Sequence, residues 1–259
     1  MEISRRNALR LAPAISMPVL LAGGCQHVPS ANAPATGNAR NWDEFGFIGP
    51  NDDPDFSKSQ QNGSIKTTVG TGQSRHDEVR TAFKILWDCP RTASHMDIAR
   101  YFQNITQTNP NERDASGELA RYNEEWSQRA NPLITSFFGM TNTLPSGGDQ
   151  TAWCAAFVSF VLYAAGKPNQ FSALSGSYRS YGRPTTDPRL GDIVVFRRNG
   201  PAGDRGFGHV GFFVSQTDNA VTVLGGNQRG GEGSTGAVVE RNYAKIGTSL
   251  SLHSIRAVV

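Results

Sequence analysis

Thr151-Ala152-Trp153-Cys154-Ala155-Ala156-Phe157-Val158-Ser159-Phe160-Val161-Leu162-Tyr163-Ala164-Ala165-Gly166 is the stretch that decides how this chain is read. Small and apolar residues fall on nearly every side of it, which for a helix means burial on most faces and not an amphipathic surface position. Thr151 is placed to cap its start, and Gly166 followed by Pro168 supplies the stop. Cys154 then lies in the first turn, where unpaired backbone N–H groups and the positive end of the helix dipole favour a thiolate. A lone cysteine on an apolar helix is also a good small hydrophobe, so its role depends on what the rest of the chain brings to it.

Downstream, a loop rich in Ser, Tyr, Arg and Pro runs from Asn169 to Leu190, and then the period becomes strand-like. Strands are predicted at Asp192–Phe196, His209–Val214, Ala220–Leu224, Ala237–Asn242 and Leu252–Val258, separated by glycine-rich connections. Short consecutive strands joined by turns imply an antiparallel sheet. Helices first and sheet second make an α+β domain.

A cysteine nucleophile needs a base within hydrogen-bond reach and a third group that fixes the tautomer of the base. His209 opens a strand behind Gly206-Phe207-Gly208, which lets its backbone approach a neighbour closely. Asn227 ends the next strand, 18 residues on, one hairpin's worth of chain, and is placed to hold the imidazole. His253 in the last strand is the reserve base.

Upstream, residues 74–140 read as helical. Ser74 with Asp77 and Ser94 with Asp97 match the capping box, and Val79, Phe83, Leu86 and Trp87, then Ile98, Phe102 and Ile105, form apolar stripes. A third helix is expected over Glu118–Ala130 with Trp126 inward, and Asn131-Pro132 marks a break before Leu133–Phe138. His76 and His95 read as solvated residues at helix starts. Gln26 to about Gln73 is rich in Pro, Gly, Asn, Ser, Asp and Thr and reads as a tether; within it Trp42-Asp43-Glu44-Phe45-Gly46-Phe47-Ile48 is apolar enough to dock on the folded part or on a partner.

The first residues, with Arg5-Arg6 ahead of a short apolar run from Leu11 to Ala22, resemble a twin-arginine export leader, and Leu21-Ala22-Gly23-Gly24-Cys25 resembles a lipoprotein cleavage box with Cys25 as the lipidated residue. Ala22 stands where that box has Leu, and the Ala-Gly-Gly run suits plain signal cleavage as well. The formal charge of +3 includes +2 in residues 1–24, so the remainder is nearly neutral. No run of Lys and Arg interleaved with aromatics suggests a nucleic-acid groove. The three cysteines, Cys25, Cys89 and Cys154, are far apart and form no C-x-x-C pair, so neither a disulfide framework nor a cysteine-rich zinc site is indicated.

Trp153-Cys154-Ala155-Ala156-Phe157-Val158, Gly191-Asp192-Ile193-Val194-Val195-Phe196, Gly208-His209-Val210-Gly211-Phe212 and Gly225-Gly226-Asn227, in that order, resemble the CHAP family of cysteine, histidine-dependent amidohydrolases and peptidases, relatives of the NlpC-type cell-wall peptidases. The resemblance covers roughly Asp149 to Val259. It implies a papain-like α+β fold, hydrolysis of amide or peptide bonds in peptidoglycan, and no cofactor or metal. It makes Cys154 the nucleophile, His209 the base and Asn227 the orienting residue. Many members carry a Glu two positions before that Asn, where this chain has Gly225; the departure favours an alternative in which an inactive, surface-anchored module only holds peptidoglycan. Asp192 suits a turn, Gln150 stands where an oxyanion donor would, and Asp149 is a carboxylate close in sequence to Cys154. The expected organisation is an export signal over 1–24, a tether over 25–73, a helical subdomain over 74–140 and a catalytic domain over 141–259. The expected location is the periplasmic face or outer membrane, with membrane contact only through a lipid on Cys25.

Overall fold

The computed structural model of the protein describes residues 76–90, 93–229 and 235–259. The leader, Cys25, the 25–73 segment with its 42–48 patch, and the Ser74 cap lie outside the described residues. Among the described residues no helix is long and apolar enough to cross a membrane.

The central helix, α4, spans Cys154–Ala164 and is buried on most faces, as its composition requires. Phe157, Val158, Val161 and Leu162 are fully buried, each contributing roughly 1.5–3 kcal/mol of transfer free energy. Gly166, in the left-handed region at φ 66°, ends the helix, and the Lys167 N–H returns to the Leu162 carbonyl at 2.8 Å. The start differs from expectation. Thr151 does not cap α4: Gly148–Gln150 form a tight turn, Thr151 Oγ1 accepts the Gly147 N–H at 3.1 Å, and Trp153 takes the cap position with no side-chain bond to the helix.

Helix α4 packs on an antiparallel sheet of β3 (Arg183–Pro184), β4 (Ile193–Arg198), β5 (Gly208–Gln216), β6 (Ala220–Gln228), β7 (Ala237–Ala244) and β8 (Leu250–Ala257), in the order β3-β8-β4-β5-β6-β7. The five longer strands are those read from the sequence, and β3 adds a two-residue edge. Together they give the papain-like α+β arrangement, with the cysteine-bearing helix lying on the sheet. Alternation divides the sheet residues between two cores. Val195, Val210, Phe212 and Leu224 join the core that contains α4, whereas Val194, Phe196, Phe213, Val223 and Tyr243 form a smaller cluster on the other face. Gly208 is needed where β5 enters the sheet, because a Cβ there would collide with the Phe196 carbonyl. Asp192 keeps the turn role expected of it, its carboxylate accepting the N–H groups of Arg189 (2.8 Å) and Val258 (3.1 Å).

Upstream of α4, α1 (His76–Trp87), α2 (His95–Gln103) and α3 (Pro132–Phe137) cover the same core. Ser94 caps α2 as the sequence indicates, accepting the Asp97 N–H at 3.2 Å, and Ile98, Phe102 and Ile105 are buried. Asn131 caps α3 through the Leu133 N–H. Two expectations fail. The buried line of α1 is Glu78, Ala82 and Ile85, continuing to Cys89, while Phe83 and Trp87 are 67% and 77% exposed. The helix expected over Glu118–Ala130 is absent: β1 (Thr108–Arg113) and β2 (Leu119–Arg121) form a hairpin, followed by an irregular segment. The competing force is local. Asp114 Oδ1 accepts the N–H groups of Ser116 (2.8 Å) and Glu118 (3.0 Å), and Gly117 takes φ 90°, so the chain folds back at 114–118. Trp126 is buried as expected, from a loop.

Candidate active site

Cys154 is the first residue of α4 and is 4% exposed. It owes its position to Trp153. That indole is fully buried, its Nε1–H donates to Glu125 Oε1 at 3.0 Å, and it lies against Gly226, where a Cβ would stand 2.6 Å from Trp153 Cε3. Glu125 itself comes from the segment after β2, which runs beside the start of β7: its N–H donates to the Gly236 carbonyl at 2.8 Å, and its other carboxylate oxygen accepts the Gly236 N–H at 3.2 Å. The first turn of α4 is therefore held against the end of β6 by an apolar contact on one edge of the indole, and to the Glu125 segment by a hydrogen bond on the other.

His209, 4% exposed, is the second residue of β5. Val210 and Phe212, the residues that follow, join the core that contains α4, and the ring centroid of His209 lies 5.2 Å from that of Tyr243 and 6.5 Å from that of Phe196. Its Nε2 lies 2.9 Å from Gln228 Oε1. The end of β6 is thus common ground: Trp153, next to Cys154, rests on Gly226, and His209 is bonded to Gln228, two residues further on.

The other candidates are placed as follows. Asn227 is 1% exposed and sits at φ 57°, and neither polar atom of its side chain has a hydrogen-bond partner; it does not hold His209. Its Oδ1 faces the Gly236 Cα from the same side as Glu125 Oε1. Gln150 is nearly buried, with its side-chain carbonyl unpartnered. Asp149 is fully buried and accepts the N–H groups of Trp126 and Asn131, both at 2.9 Å, so it is a latch for the irregular segment. His253, the reserve base, is excluded by place: it is exposed on β8, which β4 and β5 separate from β6, beside Ser254 Oγ at 3.0 Å. Partial burial, then the neighbouring Arg179, Arg256 and Arg197, lower its pKa. His95 is only partly solvated. Its Nε2–H donates to the Gly191 carbonyl at 3.0 Å and its ring lies 5.5 Å from that of Phe212; burial, the largest effect, holds its pKa below the ordinary value. Cys89 and Cys154 are buried and not joined in a disulfide.

In the middle of α4, Ser159 shares a 2.8 Å hydrogen bond with Tyr178, and burial pushes the Tyr178 phenol above the ordinary range, keeping it neutral. Among the described residues no group of three or more His, Cys, Asp or Glu is assembled that could hold a metal ion.

Sequence reasoning passed over Gln228 and Glu125. Gln228 stands directly after Asn227 in the sequence, and residue type alone does not tell which of the two amides faces the histidine. Glu125 carried no signal, because the expected helix there would have pointed it elsewhere.

Residues 146–227 match the family model described as the CHAP domain. No curated protein matches the chain, and no solved structure does. The matched span holds the start of α4, His209 and Asn227, and it supports, in general terms, a hydrolase of the amidase type acting on peptidoglycan.

Proposed function

We propose that this protein is a peptidoglycan hydrolase that cleaves amide or peptide bonds through a thiol mechanism, as an N-acetylmuramoyl-L-alanine amidase or a stem-peptide or cross-link endopeptidase. The observation that carries the reading is the convergence of Trp153-Cys154 and His209 on one four-residue segment, Gly225–Gln228, within a span that matches the CHAP domain.

Cys154 gives its proton to His209, and the thiolate attacks the carbonyl carbon. The charge that develops on oxygen is met by backbone N–H groups at the start of α4, which no side chain caps. The imidazolium returns its proton to the leaving amine, and the C–N bond breaks to leave a thioester on Cys154. His209 then takes a proton from water, the hydroxide attacks the thioester, and the thiol is regenerated with release of the carboxylic acid. The chain reaches its substrate by export through the Arg5-Arg6 leader, with or without lipid on Cys25.

Digestion of purified sacculi by the full chain tests this. Soluble fragments with the mass of free stem peptides identify an amidase, and cut stems or cross-links identify an endopeptidase. Sedimentation with the sacculi without release makes the protein a binding module and ends the hydrolase reading.

A further inference from the structure

We infer that Gln228, and not Asn227, is the residue that positions the imidazole of His209, and that it does so by fixing its tautomer. The inference rests on the hydrolase reading for its consequence but on hydrogen-bond geometry for its content.

Gln228 is fully buried. Its amide nitrogen donates to two backbone carbonyls, that of Val223 at 3.1 Å and that of Val239. Carbonyl oxygens only accept, so the nitrogen of this amide is assigned by its neighbours and the oxygen must be the atom that faces His209. An amide oxygen also only accepts. The imidazole atom 2.9 Å away, Nε2, therefore carries a proton, and the neutral ring has its lone pair on Nδ1. Nδ1 is then the atom that takes the thiol proton, and the Nε2–H bond to Gln228 persists in both protonation states.

Space for this device comes from Gly225. A Cβ at that position would stand 3.3 Å from Gln228 Cδ and Oε1, so the amide folds back over residue 225 and occupies the room that a longer side chain there would take. The bulge in β6–β7 pairing between Gly225 and Gln228 lets it do so, and the left-handed Asn227 lies inside that bulge. Asn227 has no bond through which to orient anything. As a neutral partner Gln228 fixes the ring without adding a negative charge. Its loss should therefore act on the proton-transfer step and not on substrate binding.

The full chain with 15N-labelled histidine, observed near pH 8 by two-bond nitrogen–proton correlation, should show His209 as the Nε2–H tautomer; the Nδ1–H tautomer overturns the inference directly, without any variant. Gln228→Ala should cut the initial rate of sacculus solubilisation by about a hundredfold or more, the range of a misplaced general base, with the sacculus concentration at half-maximal rate unchanged. It should also move the pH dependence of iodoacetamide labelling at the Cys154 peptide, followed by mass spectrometry, whereas Asn227→Ala should leave that profile in place. If Cys154→Ala is inactive while Gln228→Ala keeps the wild-type rate and labelling profile, the hydrolase reading stands and Gln228 has no such role. If sacculi are not cut at all, the hydrolase reading falls, and the tautomer still decides the claim about Gln228.

Discussion

Replacing Gly226 by alanine tests how Cys154 is held in place. The added Cβ would stand against Trp153 Cζ3, 2.6 Å from Cε3, and 2.8 Å from Phe157 Cβ. Carbon atoms pack comfortably at about 3.5–4.0 Å, so the indole must retreat by about 1 Å. Its room is limited, because the rings of Phe137 and Phe157 pack against it with centroids at 6.2 and 6.4 Å. A retreat also distorts the 3.0 Å bond, on the opposite edge of the indole, to Glu125, whose carboxylate is buried. Overpacking of this kind costs about 1–3 kcal/mol, and a weakened charge-assisted bond adds about 1.5 kcal/mol or more, so a loss of about 3 kcal/mol is expected. For a domain of roughly this size that is about 6–12 °C in Tm. Gly139→Ala is the control, since nothing lies within 4 Å of its Cβ and it changes the unfolded chain in the same way; it should match or slightly exceed the wild type. Thermal unfolding of the three proteins, side by side, gives the answer. A Gly226→Ala protein that melts with Gly139→Ala would refute the claim that the indole is clamped against β6.

Two further outcomes follow from buried charge. Arg129 reaches Glu78 at 2.7 Å and Glu112 at 3.7 Å, and both carboxylates are almost wholly buried, so Arg129→Met should cost about 3–5 kcal/mol in urea unfolding; an unchanged midpoint would mean the cluster is idle. His95 has its pKa lowered by burial and then by Lys167, against the opposing Gly191 hydrogen bond and the nearby Asp192 and Asp97. The unfolded chain therefore binds that proton more readily than the native one, and the stability His95 contributes is complete above about pH 6.5 and is lost as the pH falls through the lowered native value. The wild type should lose stability over that window faster than His95→Gln, and parallel curves would contradict it.

What the sequence made legible was the part governed by composition and period. An apolar stretch closed by Gly166 and Pro168 reads as a buried helix, and the five long strands show as short runs of strand-like period, several of them separated by glycine-rich connections. The segment between Asn104 and Asn131 was misread because its apolar spacing is compatible with a helix, while its structure is decided by single polar side chains: Asp114 turns the hairpin, and Asn131 and Asp149 tie down the loop. The same holds at the site. Cys154 and His209 could be named from local surroundings, but whether Asn227 or Gln228 reaches the imidazole depends on a one-residue bulge, which flips successive side chains between faces and leaves no trace in residue type. His95 was misjudged for a similar reason: its partner, the Gly191 carbonyl, lies 96 residues away.

The measurement that bears most directly on the account is solubilisation of purified sacculi by the full chain beside Cys154→Ala and His209→Ala, each shown by thermal unfolding to be folded. Release of soluble fragments by the wild type alone is the predicted result. Equal release by Cys154→Ala would contradict it, because no other group in the proposed mechanism can form the thioester.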